Sequence, residues 1–113
     1  MSHITSHILD TTRGRPASGV PVILFQLEED DWKQVAVSVT ANDGRVSDLV
    51  TTDVKLQPGI FKLRFLTREY FERLSTTTFF PFIEIAFELL ADEEHYHIPL
   101  LLSPFGYSSY RGS

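Results

Sequence analysis

The sequence predicts an all-β protein, a sandwich of two packed sheets with seven to eight strands and one short helix, on three observations. Most of the chain divides into short stretches in which apolar and polar residues alternate, the period of a half-buried strand. Gly, Pro, Asn and Asp punctuate these stretches at short intervals, as turns between antiparallel neighbours require. Helical spacing occurs in one short place only. No internal repeat, low-complexity segment or linker divides the chain, so residues 1–113 are expected to form a single domain.

The elements are expected in the following order. Ile4 to Asp10 reads as a strand with Ile4 and Ile8 on one face and Thr5, His7 and Leu9 on the other. Thr11 to Gly19 is a loop broken by Gly14, Pro16 and Gly19. Val20 to Leu27 is apolar on both faces, with Pro21 tolerated at a strand start. Glu28 to Asp31 is a charged hairpin loop. From Trp32 to Thr40, Val35, Val37 and Val39 alternate with Gln34, Ala36 and Ser38 as in a half-buried strand. Asn42-Asp43-Gly44 is a strong turn signal and presents Arg45 directly after it.

Ser47 to Gly59 has the weakest pattern and suggests a short edge strand and loop. Ile60 to Leu66 alternates again, with Phe61, Leu63 and Phe65 inward and Lys62 and Arg64 outward. Thr67 is placed to cap a helix from Arg68 to Leu74 whose Tyr70, Phe71 and Leu74 share a face. After a loop from Ser75 to Pro81, Phe82 to Leu90 sets Ile83, Ile85, Phe87 and Leu89 against Glu84, Ala86 and Glu88. Ala91 to Glu94 turns into a strand from His95 to Leu102, with Tyr96, Ile98, Leu100 and Leu102 on its core face. Ser103 to Gly106 is a turn and a last strand begins at Tyr107.

Composition narrows the function. A net charge of −5 leaves no basic stripe to neutralise phosphates, so a nucleic-acid partner is not expected. No apolar run reaches the roughly 20 residues of a membrane helix, and no signal-peptide pattern opens the chain. The absence of cysteine excludes disulfides, thiolate nucleophiles and Cys-zinc sites and suits a cytoplasmic setting.

Chemistry therefore falls to histidine and arginine. His7 and His97 lie opposite their own core stripes, beside Leu9 and Leu101 on the same outward faces. A face that mixes imidazole with leucine suits a subunit interface better than open surface. His95-x-His97 has a spacing that can chelate, and His3 could fold towards His7, but no third ligand of matching spacing accompanies them. Metal-free acid–base work by an imidazole, with Arg45 or Arg111 holding a substrate oxygen, is the stronger expectation.

Ser6-His7-Ile8-Leu9-Asp10-Thr11, Gly14-Arg15-Pro16-Ala17 and Gly19-Val20-Pro21 resemble the amino-terminal motif of the transthyretin-related 5-hydroxyisourate hydrolases. Asn42 to Arg45, Phe79-Phe80-Pro81, His95 to Pro104 and Tyr110-Arg111-Gly112-Ser113 match the rest of that pattern in order, so the resemblance spans nearly the whole chain. Ser109 stands where threonine is usual and Phe82 where a polar residue is common; Ser47 to Lys55 matches weakly. The resemblance implies a transthyretin-like sandwich that hydrolyses 5-hydroxyisourate, without metal or cofactor, to 2-oxo-4-hydroxy-4-carboxy-5-ureidoimidazoline. It also implies a homotetramer, a dimer of dimers, with sites in the channel where dimers meet. By the same resemblance His7, Arg45 and His97 are catalytic, and Tyr110, Arg111 and Ser113 join His7 and Arg45 in binding substrate. The alternatives are a transthyretin-type carrier of a small aromatic ligand and a metal-binding sandwich resting on His95 and His97.

Overall fold

The computed structural model describes residues 3–50, 56–90 and 95–112. Nine strands and one helix lie within them: β1 (His3–Asp10), β2 (Arg15–Pro16), β3 (Pro21–Glu28), β4 (Asp31–Val39), β5 (Arg45–Val46), β6 (Gly59–Phe65), α1 (Arg68–Arg73), β7 (Ile83–Leu89), β8 (His95–Ser103) and β9 (Gly106–Ser109). One sheet runs β2-β1-β8-β9, with β5 also paired to β1, and the other runs β4-β3-β6-β7. The inward residues of both sheets make one core, in which Ile4, Ile8, Val22, Leu24, Phe61, Leu63, Phe65, Ile83, Leu100 and Leu102 are essentially inaccessible. This is the expected two-sheet sandwich. The strands beyond eight are explained by β2 and β5, two-residue pairings too short to carry a period.

The expected inward faces of β6, β7 and β8 are realised, including Tyr96, Ile98, Leu100 and Leu102 on β8. On the outer face of the second sheet, Lys62 packs over the rings of Trp32 and Phe25, and Arg64 over Phe25 and Phe82. Glu84 pairs with both cations.

β4 keeps the expected alternation but with its valines outside. Leu24 pairs with Ala36 while Phe25 pairs with Gln34, so Val35 is an extra residue bulged out of the ladder. Beyond the bulge Ala36 and Ser38 face buried Leu24 and Val22, and Val37 and Val39 are 57% and 54% exposed. Thr67 precedes the helix but does not cap it: it is itself helical at φ −88°, ψ −18°, and its buried Oγ1 has no hydrogen-bond partner. A capping side chain needs an extended backbone to reach the first free amides. Leu74 ends the helix exposed, while Tyr70 and Phe71 supply its buried face. No strand forms over 47–50 or 56–58; residues 51–55, and the expected turn over 91–94, lie outside the described residues.

Helix α1 is tied to the first sheet through Asp10, which is fully buried at the end of β1. Its Oδ1 accepts the backbone N–H groups of Thr12 and Arg13 at 3.1 Å. Oδ2 accepts the Tyr70 hydroxyl at 2.7 Å and the Arg13 guanidinium at 3.2 Å. Burial opposes ionisation of Asp10, but these donors outweigh it and hold its carboxyl below the ordinary value. Burial and the same carboxylate push Tyr70 up to about 12.

Candidate functional site

The sheet topology decides which side chains meet. β1 and β8 run parallel in a register that pairs His3 with His95, Thr5 with His97, His7 with Pro99 and Leu9 with Leu101. Thr5, His7, His97 and Leu101 are all half-buried, whereas His95 is exposed. Partners across a parallel ladder point to the same side of the sheet. The outer face of this sheet therefore carries two adjacent columns, polar at one end and apolar at the other.

β5 adds the arginine. His7 pairs with Arg45 across an antiparallel bridge, so the guanidinium arm starts beside His7. The turn that delivers Arg45 is closed by the Gly44 N–H donating to the Ala41 carbonyl at 2.8 Å and tied to β1 by the Ile8 N–H donating to the Gly44 carbonyl at 2.9 Å. Gly44 has φ +78°, and a Cβ there would lie 2.6 Å from the Ile8 carbonyl oxygen, so both conformation and space demand glycine. The turn also orients His7, whose Nε2 is 2.9 Å from the carbonyl oxygen of Asp43. A carbonyl can only accept, so Nε2 carries the proton and Nδ1 is left to act. Arg45 makes a loose, exposed ion pair with Asp43 at 3.9 Å, which is too weak to immobilise it.

His97 is held from two directions. Thr5 Oγ1 lies 2.8 Å from His97 Nδ1 and also 2.8 Å from His95 Nε2. From the tail, the Gly112 N–H donates to the His97 carbonyl at 2.8 Å, in an isolated antiparallel bridge. Burial, followed by the electrostatic influence of His95, Arg45 and His7, lowers the His97 pKa below 6.5. His97 is thus neutral near pH 7 and competent to accept a proton.

Two hollows adjoin His97. The smaller, about 200 Å³, is lined by Thr5, Ser6, Arg45, Val46, His95 and His97 among others. The larger, about 360 Å³, opens on the side of β7 and β9 and includes Phe87, Tyr96, His97, Tyr110 and Arg111 in its lining. The sequence-predicted residues are therefore distributed. Arg45 and His97 share the smaller hollow, and His7 sits one pairing further along β1. Tyr110 and Arg111 line the larger one, where the Arg111 guanidinium packs 4.5 Å from the centre of the Tyr96 ring. Ser113 lies outside the described residues. Among the described residues no three His, Cys, Asp or Glu side chains gather as metal ligands, and no helix is long and apolar enough to cross a membrane.

Thr5 is the one site residue without prominence in the sequence. The available signal was its position two residues before His7, on the same strand face; its position beside His97 depends on a pairing between chain segments 92 residues apart.

A β-sandwich of two sheets in this strand order, with one short helix, is of the transthyretin class of folds. The chain belongs to the HIUase/Transthyretin family, whose model matches residues 4–112. It is 44% identical over 110 residues to the 5-hydroxyisourate hydrolase of Salmonella dublin, covering 97% of this chain and 80% of that protein. It superposes on the 5-hydroxyisourate hydrolase of Klebsiella pneumoniae with a TM-score of 0.83, at 33% identity, covering 98% of this chain and 99% of that one. On sea bream transthyretin, solved in complex with thyroxine, the TM-score is 0.89 at 31% identity, covering 96% of this chain and 93% of that one.

Proposed function

We propose that this protein is a hydrolase that opens 5-hydroxyisourate to 2-oxo-4-hydroxy-4-carboxy-5-ureidoimidazoline, within urate degradation. The observation that carries the reading is the meeting of a neutral, half-buried His97 with Arg45 at one hollow. Relatives named as 5-hydroxyisourate hydrolases across nearly the whole chain support it.

Mechanistically, neutral His97 takes a proton from water, and the resulting hydroxide attacks the ring amide carbonyl. Arg45, mobile enough to adjust, stabilises the oxyanion as it forms. The breaking C–N bond leaves a ring nitrogen that needs a proton, which His97 returns from the one it took from water, and the His7 imidazole is placed one pairing away to orient that nitrogen. A general base is worth about 10²–10⁴ in rate and an oxyanion donor about 10²–10³. Tyr110, Arg111 and Ser113 enclose the substrate from the tail. Residues 1–113 act as one domain in a homotetramer, a dimer of dimers, in which the Leu9 and Leu101 end of the outer face is covered by a partner subunit. The cysteine-free composition suits the reducing cytoplasm.

The test is spectroscopic. 5-Hydroxyisourate generated from urate by urate oxidase should lose its ultraviolet absorbance faster with this protein than without it, and His97→Gln should remove at least ~10² of that acceleration. Unaltered decay with the wild-type protein overturns the function. Sedimentation checks the assembly, which should have four times the 12.9 kDa mass of the chain.

A further inference from the structure

Thr5 has a geometry that the mechanism above leaves unused. One hydroxyl oxygen lies 2.8 Å from a ring nitrogen of each of two histidines, one half-buried at the hollow and one exposed. A hydroxyl has a single proton to donate and can accept through its lone pairs. The arrangement therefore couples the tautomers: if Thr5 donates to one ring, it accepts N–H from the other.

We propose that Thr5 is a positioning residue for the hydrolysis, keeping the proton of His97 on Nδ1 and its Nε2 bare, and relaying the Nδ1 proton onward to His95. This rests on the proposed hydrolase function and adds the route by which its proton leaves. With Nδ1 turned to Thr5, Nε2 is the ring nitrogen on the far side, able to reach a bound water. Thr5 accepts the Nδ1–H of His97 and donates its own proton to Nε2 of His95.

The chemistry balances. Amide hydrolysis consumes one water: the departing ureido nitrogen gains one proton to become NH2, and the carboxylic acid formed ionises at neutral pH, so one proton is released per turnover. When Nε2 of His97 accepts a proton from water, the ring becomes an imidazolium. Its Nδ1 proton passes to Thr5 Oγ1 as the Thr5 hydroxyl proton passes to Nε2 of His95. His97 is left neutral with its proton on Nε2, which it gives to the leaving nitrogen only as its Nδ1 takes a proton back from Thr5. Thr5 is unchanged, and His95 becomes an imidazolium that loses its proton to solvent. In that return step Thr5 recovers a proton from Nε2 of His95, which regains one from solvent, so all three groups return to their starting tautomers. The charged and titratable groups facing His97 are His95 on its own strand, His7 on β1 and Arg45 on β5. Across the adjoining hollow are Glu88 of β7 and Tyr110 and Arg111 of the tail. Burial of His97 and the Arg45 cation disfavour an imidazolium at His97 and so favour passing its proton on to the exposed ring.

The experiment compares wild type, Thr5→Val, Thr5→Ser and His95→Gln in the 5-hydroxyisourate decay assay, with and without added imidazole. Thr5→Val keeps the shape and removes the hydroxyl. It should lower kcat at least about tenfold, less than the ~10²–10⁴ of the base itself, with KM within about twofold. Thr5→Ser should restore most of kcat. Imidazole in the buffer should partly rescue Thr5→Val and His95→Gln but leave the wild type unaffected. A Thr5→Val enzyme with wild-type kcat, or one indifferent to imidazole, overturns the relay. An inactive wild-type protein defeats the hydrolase reading instead, and a second measurement tests the positioning independently of activity and of how Thr5→Val folds. Nitrogen-15 NMR of the wild-type protein should show His97 as the Nδ1–H tautomer; an Nε2–H resting tautomer overturns the proposal.

Discussion

Gly112→Ala gives the sharpest test of how tightly the tail and His97 are coupled. A Cβ at position 112 would stand 2.5 Å from Cδ2 of His97, where ordinary contact begins at 3.4 Å, so something must give by about 0.9 Å. If the ring moves, it leaves the 2.8 Å hydrogen bond to Thr5 Oγ1. If the tail retreats instead, it breaks the 2.8 Å bond from the Gly112 N–H to the His97 carbonyl and carries Tyr110 and Arg111 with it. Neither route spares the site. Displacement of a reacting group by roughly 1 Å is worth about 10²-fold in rate, or ~2.7 kcal/mol of barrier. The assay is kcat for 5-hydroxyisourate decay beside the thermal midpoint, because the altered residue lies in the chain tail, outside the sandwich core. Turnover should fall about 10²-fold while the midpoint shifts by no more than a few degrees. Wild-type turnover in Gly112→Ala, with His97 unmoved in its crystal structure, would refute the reasoning: the tail would then not press on the base at all.

The lowered pKa of His97 fixes the acid limb of the pH profile. On the proposed mechanism the base form of His97 is the active one, and a lowered pKa lets it persist to more acid pH, so kcat/KM should fall only below pH 6.5. Arg45→Gln should lower turnover by about 10²–10³ and, by removing one positive neighbour of His97, move that limb upward; a limb that stays put would remove Arg45 from the electrostatics of the base. Tyr70→Phe should cost about 1–3 kcal/mol of stability in denaturant titration, because it leaves a fully buried carboxylate short of a donor. Since the folded Asp10 pKa lies below its ordinary 3.8, its contribution is full above that pH and is lost as pH falls through the folded value. Asp10→Asn should therefore flatten acid unfolding in the window below about pH 3.8, as read by circular dichroism.

The sandwich was legible wherever a strand buries one face and solvates the other. On β8 the alternation of Tyr96, Ile98, Leu100 and Leu102 with histidine and leucine carries its own orientation, because one-residue slips would bury the imidazoles. On β4 alternation carried no such information. Valine suits either face of a strand, and the bulge at Val35 reverses the register between its two halves. β2 and β5 are bridges of two residues that exist only because β1 is there to pair with. The site was legible in part for the same reason. His7, Arg45 and His97 carry chemical types that draw notice, whereas Thr5 matters through the parallel pairing of β1 with β8, which no local pattern encodes. The tail shows the converse: Tyr110 and Arg111 were prominent in the sequence, yet within one chain they line the neighbouring hollow, joined to the first only through His97.

That division bears on how one fold serves both a thyroxine-binding protein and hydrolases. The superpositions do not separate the two, since the core that determines them is the inert inward face of each strand. Function rides on the alternate residues, which the core constrains only in direction. On β8 the core residues Tyr96, Ile98, Leu100 and Leu102 aim His95, His97 and Leu101 outward without dictating what they are. A carrier needs that outer face apolar and unreactive. This chain instead pairs a threonine with two histidines and bridges a third to arginine, and it lowers the pKa of the half-buried His97. The half-buried ones, Thr5, His7 and His97, cost desolvation that apolar side chains would avoid. A binding channel has no use for a neutral imidazole coupled to an exposed one, whereas a reaction that must take a proton from water and release another to solvent needs both.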